Sequence, residues 1–127
     1  MKRKFDLEER LIEFASDIID VSEGLPKTFA GNHLAGQLIR SGTSPALNYG
    51  EAQGAESRSD FIHKMKVCLK ELRETYNCLR LINKKQWFDQ VRLGNLLIEN
   101  NELISIFVSS ITTAQSKVAN KSTARTS

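Results

Sequence analysis

Apolar residues recur every three or four positions in four separate runs of this chain, and no run alternates with period two. That spacing predicts a first helix over about 6–24. It puts Leu7, Leu11, Phe14, Ala15, Ile18, Val21, Ser22 and Leu25 on one side, with Ile12 and Ile19 flanking. Gly24-Leu25-Pro26 ends it, because Gly and Pro stand just past helix ends. A second helix over about 28–53 aligns Leu34, Ala35, Leu38, Gly42, Tyr49 and Ala52. Pro45 lies inside it and removes one backbone hydrogen bond, so a kink is expected there rather than a loop.

Gly54 to Ser57 form the next break, with Ser57 or Ser59 as N-cap. A third helix over about 58–83 aligns Phe61, Met65, Cys68, Leu69, Leu72, Tyr76, Leu79 and Ile82, and Asn83 to Trp87 form a turn. The fourth, about 88–118, aligns Leu93, Leu96, Leu97, Leu103, Ile104, Phe107, Ile111, Ala114 and Val118. Short connections force each helix back beside its predecessor, which predicts an all-α, up-down-up-down antiparallel four-helix bundle over 1–118. Residues 119–127 are small, polar and basic and read as a disordered tail. Asn100 falls inside the fourth apolar arc. There it either bonds a neighbour in the core or fixes register and oligomer state.

Composition adds limits more than it adds function. A chain of 127 residues suits one domain and can bury about two-thirds of its unfolded surface without a metal or disulfide staple. Cys68 and Cys78 on one helix stand about 15 Å apart along its axis. A disulfide needs Cα atoms within about 7 Å, so reduced thiols and a cytoplasmic protein are expected. The start, Met1-Lys2-Arg3-Lys4, runs into acids rather than an apolar stretch, unlike a signal peptide. No run approaches the roughly 18 apolar residues of a membrane span.

Catalytic chemistry finds little support. A di-iron bundle site needs two Glu-x-x-His motifs, but Ala30 and Asp60 stand three residues before His33 and His63. Asp60 reads as a capping acid beside a solvated His63. Cys68 sits in the apolar arc, where a thiol is a small hydrophobe. Cys78 is placed at the surface, with no histidine near it in sequence. The pairs Glu71 with Glu74 and Glu99 with Glu102 read as salt-bridge partners. No catalytic residue, metal, cofactor or small-molecule substrate is expected.

The net charge of +3 is mild, but its arrangement is uneven. Residues 5–23 carry Asp6, Glu8, Glu9, Glu13, Asp17, Asp20 and Glu23 against Arg10 alone. Residues 61–92 carry Lys64, Lys66, Lys70, Arg73, Arg80, Lys84, Lys85 and Arg92 against Glu71, Glu74 and Asp89. On the third helix, Lys66, Lys70, Arg73, Arg80 and Lys84 fall within roughly an 80° arc beside the apolar face. On the first, Asp6, Glu9, Glu13, Asp17 and Asp20 form a stripe away from the core. Three readings stay open: solvated surface, head-to-tail self-assembly of acidic on basic stripes, and phosphate tracking on RNA or DNA. Val91, Ile98 and Ile106 point away from the fourth helix's core arc and read as a subunit interface.

From Arg40 to Ile82 the chain resembles the 23S rRNA intervening-sequence protein family. The residues that carry the likeness begin with Arg40-Ser41-Gly42-Thr43-Ser44, Asn48-Tyr49, Glu51-Ala52-Gln53 and Ala55-Glu56-Ser57. They continue with Asp60-Phe61-Ile62-His63-Lys64, Leu69-Lys70-Glu71, Glu74-Thr75 and Leu79-Arg80-Leu81-Ile82. Where part of the family has Ile-Pro before Ala-Asn, this chain has Pro45-Ala46-Leu47 before Asn48. The resemblance implies a cytoplasmic four-helix bundle without enzymatic activity, in ring-shaped homo-oligomers of which the pentamer is characteristic. The chain is also similar to the accessory proteins of diversity-generating retroelements, which work with a reverse transcriptase and its RNA. Asn48, Glu51 and Glu74 read equally as packing contacts or as binding groups.

Overall fold

The computed structural model describes the backbone of residues 6–126 and the side chains of residues 6–119. Four helices follow one another: α1 Leu7–Glu23, α2 Phe29–Gln53, α3 Arg58–Lys85 and α4 Gln90–Thr126. Each packs along the next in the chain, and α4 closes on α1 by a thinner seam. This is the expected four-helix bundle, with all described elements helical.

Local chemistry sets the helix starts. Asp6, Thr28 and Ser57 each hold extended backbone, and each side chain accepts the N–H three residues on, from Glu9, Gly31 and Asp60. These caps satisfy donors that a helix start leaves orphaned, each contributing about 1 kcal/mol. Asp89 does the same for α4, accepting the Arg92 N–H at 2.9 Å. The fourth helix therefore begins two residues later than its periodicity suggests.

The end of α3 also differs from expectation. The helix runs to Lys85 and stops at Gln86, whose φ of 56° is left-handed. The N–H of Gln86 donates to the Asn83 carbonyl and that of Trp87 to Ile82, a paired closure usually built on glycine. With Gln in that place, no glycine marks the stop. Pro45 is buried within an unbroken α2. The bounds of α4 pass residue 118 and reach Thr126. The side chains of residues 120–127, most of the segment read as a tail, lie outside the described residues.

All eight aligned residues of the first stretch are buried, Leu25 beyond the helix end among them, while Ile12 and Ile19 stay exposed. Leu7, Leu11, Phe14, Ile18, Val21 and Leu25 form one core with Leu38, Met65, Leu72, Leu79, Leu93, Leu103 and Phe107. Close approach of α1 and α2 needs Gly42, where an added Cβ would stand 2.6 Å from Ile18 Cγ2. Gly31 likewise lies against the Pro26 carbonyl, 1.9 Å from the position of a Cβ. A buried pair joins α2 to α3: Thr75 Oγ1 lies 2.9 Å from Ser41 Oγ, and its hydroxyl also reaches the Glu71 carbonyl at 2.8 Å.

Three placements correct the sequence reading. Cys78 is buried rather than exposed: it stands one turn after Thr75, on the side of α3 that packs on Ser41 of α2. Tyr76 is only half-buried. Val118 is exposed at 36%. The reason is register: Asn100 meets Leu72, so the start of α3 at Arg58 lies opposite about residue 114, and Val118 outruns its neighbour.

Candidate nucleic-acid interface

Outward charge is gathered in three places, two of them alike. Between α2 and α3, Arg40 donates to both Glu71, at 2.9 Å, and Glu74. Lys64 pairs with Asp60 at 3.0 Å, which holds the Asp60 carboxyl below its usual range, helped by the Glu56 N–H. Between α1 and α4, Arg10 bridges Glu99 at 2.6 Å and Glu102 at 2.8 Å, and Arg92 reaches Asp20 at 3.5 Å. The acid pairs Glu71/Glu74 and Glu99/Glu102 are thus each gathered by one arginine from another helix.

The third arrangement, on the outer face of α3, is different. Lys66, Lys70, Arg73, Arg80 and Lys84 are all exposed. Among the described residues none of the five makes an ion pair. Arg80 donates only to Asn77 Oδ1, at 3.5 Å. Eighteen residues separate the first cation from the last, about 27 Å of helix at 1.5 Å per residue. A shallow groove at the row's end is lined by Asn77, Arg80, Leu81, Asn83 and Lys84, with no acid among them. The local acids Glu71 and Glu74 are turned to α2 by Arg40. This face therefore carries a row of five cations without an acid partner among the described residues.

The acidic stripe lies where α1 turns toward α4. Glu9, Glu13, Asp17 and Asp20 are exposed along it, and Asp6 caps the helix. A groove of about 230 Å³ lies there, floored by Val21 and Leu96 and rimmed by Asp17, Arg92, Asn95 and Glu99. Burial in it, then the charges of Glu13 and Asp20, raise the Asp17 carboxyl above its ordinary range.

Of the residues read as a subunit interface, Val91 and Ile98 are 74% and 68% exposed on the outer ridge of α4. Ile106 does not join them. It is half-buried and packed against the core, because it sits about 80° around the helix from Ile98. Ile39, on α2, and Leu47, at 75% exposure, were not singled out by periodicity, though both lie on the outer side of their helix.

Other candidate chemistry resolves into structure. His33 and His63 are both exposed. Among the described residues no group of three or more His, Cys, Asp or Glu is placed to hold a metal. Cys68 and Cys78 are free and buried, and burial pushes both thiols up, Cys68 to about 11. Asn48 donates to Ser44 Oγ at 2.9 Å, a packing contact within α2, and Glu51 is exposed. No described helix is long and apolar enough to cross a membrane.

A family model for the 23S rRNA-intervening sequence protein matches residues 3–109, which is most of the bundle. The chain belongs to that family. A similar solved structure is a protein of unknown function from the S23 ribosomal protein family of Bacteroides thetaiotaomicron. It is 29% identical with a TM-score of 0.77, over 84% of this chain and 98% of that one. A comparison with curated proteins finds no match. The likeness to retroelement accessory proteins has no counterpart in these matches.

Proposed function

We propose that this family member is a non-catalytic, homo-oligomeric bundle that holds RNA, DNA or a ribonucleoprotein on the basic row of α3. One observation carries the reading: five exposed cations stand in line without an acid partner, while Arg10, Arg40 and Lys64 on the other faces are paired. A row of uncompensated Lys and Arg attracts phosphate and releases its counterions, which makes the binding salt-dependent. The family's connection with ribosomal RNA supports the same direction. In a homo-oligomer, a ring in the family's pentameric form, several rows would act on one nucleic acid and multiply a weak contact.

The test is triple charge reversal, Lys66→Glu with Lys70→Glu and Arg73→Glu, read by fluorescence anisotropy on labelled RNA and by light-scattering mass. Five phosphate contacts would weaken wild-type binding by about two orders of magnitude between 50 and 200 mM salt. The variant should lose RNA at 50 mM while keeping its mass. A second reading has support in the exposed acidic stripe of α1: a protein-only scaffold in which that stripe meets the basic row of the next subunit. It requires the triple variant to dissociate and wild-type RNA binding to be absent.

A further inference from the structure

The row is not evenly charged, and the gap carries information. Lys66, Lys70 and Arg73 make one cluster, and Arg80 and Lys84 a second. Arg73 and Arg80 are seven residues apart, about 10 Å along the helix. The exposed residue on the row's own line between them is the neutral Asn77, whose carbonyl accepts from Arg80. α3 has no proline and no break from Arg58 to Lys85, so both clusters are held on one straight rod.

The aromatic side chains are equally informative. Proteins that hold single strands stack bases on exposed aromatic rings, each worth about 1–3 kcal/mol. Here Phe61 is half-buried and packed on the core, as are Trp87 and Phe88 beyond the end of α3, and Tyr76 is half-buried. Phe29 is the one aromatic residue exposed among the described residues, and it lies on α2. A flexible single strand would meet charge here but no stacking platform.

We infer that the basic row takes the sugar–phosphate backbone of a double helix, one cluster on each side of a groove, with Asn77 over the groove itself. The match is of length and rigidity. The major groove of B-form DNA is about 12 Å wide, close to the distance between the clusters, and its phosphates are fixed in space. Double-stranded RNA is likewise recognised through backbone and shape across a groove. Contacts of this kind position the protein without reading sequence. The inference rests on the proposed nucleic-acid function and names its substrate class.

The experiment uses the full chain at 100 mM salt with duplex RNA, duplex DNA and each constituent single strand, all about 16 nucleotides long. Duplex of at least one kind should bind at least three times more tightly than either of its strands, with little change on scrambling the sequence. A smaller ratio, or preference for a single strand, overturns the inference and leaves the nucleic-acid reading standing. No binding to any probe overturns both. Asn77→Lys gives an independent reading. Over an open groove the added cation should leave the salt slope within about 0.3 of wild type, whereas contact with a continuous single strand would steepen it by about 0.7. A full increase of about 0.9 on the duplex also refutes the two-cluster placement.

Discussion

Replacing Asn100 with leucine should stabilise the bundle. The side chain is fully buried at the α3–α4 contact, its Nδ2 donates to the Leu72 carbonyl at 3.1 Å, and its Oδ1 has no partner. A buried, unsatisfied carbonyl costs about 1–3 kcal/mol, and the bond that Asn100→Leu removes contributes about 1 kcal/mol net. The Leu72 carbonyl keeps its own intrahelical bond. Leucine, branched at Cγ like asparagine, contributes about 1.5–3 kcal/mol of transfer when buried in the same place, set against about 1–3 kcal/mol if the site resists its bulkier methyl groups. The balance favours the variant by about 1–2 kcal/mol. Urea unfolding reads it as a higher midpoint at unchanged slope, at matched protein concentration because assembly also shifts the midpoint. Solution mass is measured alongside, since a buried Asn can fix oligomer state at a cost in stability. Destabilisation by more than about 1 kcal/mol with unchanged mass would show that Oδ1 is satisfied in solution, and the reasoning would fail.

Three further outcomes follow from packing and burial. Gly42→Ala should lower the melting temperature, because its Cβ meets Ile18 at 2.6 Å, an overpacking worth about 1–3 kcal/mol. Gly36→Ala has nothing within 4 Å and should raise stability by up to about 1 kcal/mol from helix propensity; a loss there in calorimetry would mean that a second subunit covers α2. For Cys68, burial holds the neutral thiol and lifts its pKa from 9.0 to about 11. The folded value lies above the unfolded one, so the contribution is complete below pH 9 and is lost as pH rises toward 11. That loss is about 2–3 kcal/mol at 1.36 kcal/mol per unit. Denaturant unfolding at pH 8 and pH 10.5 should show a smaller decline for Cys68→Ala than for wild type; equal declines would contradict the burial argument.

Where the sequence was readable, contrast between faces made it so. In α1 every apolar position but Ile12 and Ile19 faces inward and the other outer positions are acidic or otherwise polar, so its core needed no partner to be recognised. α2 has weaker contrast, and nothing in its sequence signalled that Ser41 would meet Thr75 in a buried pair on the side of α3 that also covers Cys78. The end of α3 was hidden because Gln86 adopts the left-handed conformation that glycine usually signals. For the candidate site, the five cations and their arc were legible from spacing alone. Their lack of partners was not, since it depends on Arg40 taking Glu71 and Glu74 across 31 and 34 residues of chain. Ile106 was misplaced on the surface because an outer position on α4 was judged from its own helix, without the covering from neighbouring helices.

The two readings of the charge pattern are less exclusive than they first look. The exposed acids from Glu9 to Asp20 extend over eleven residues, about 16 Å, and the basic row over about 27 Å. Asp20 already has Arg92, so three acids remain for five cations. A subunit contact between acidic and basic rows could cover one cation cluster but not both. The other would keep its positive potential, repeated at every subunit of a ring. Assembly through uncharged Val91 and Ile98 would instead leave both clusters open. Salt separates the two cases, because screening loosens a contact between charged rows and leaves an apolar one nearly untouched. In either case some of α3 would stay open, and under the proposed function the number of open clusters per subunit would set the slope with which binding falls as salt rises.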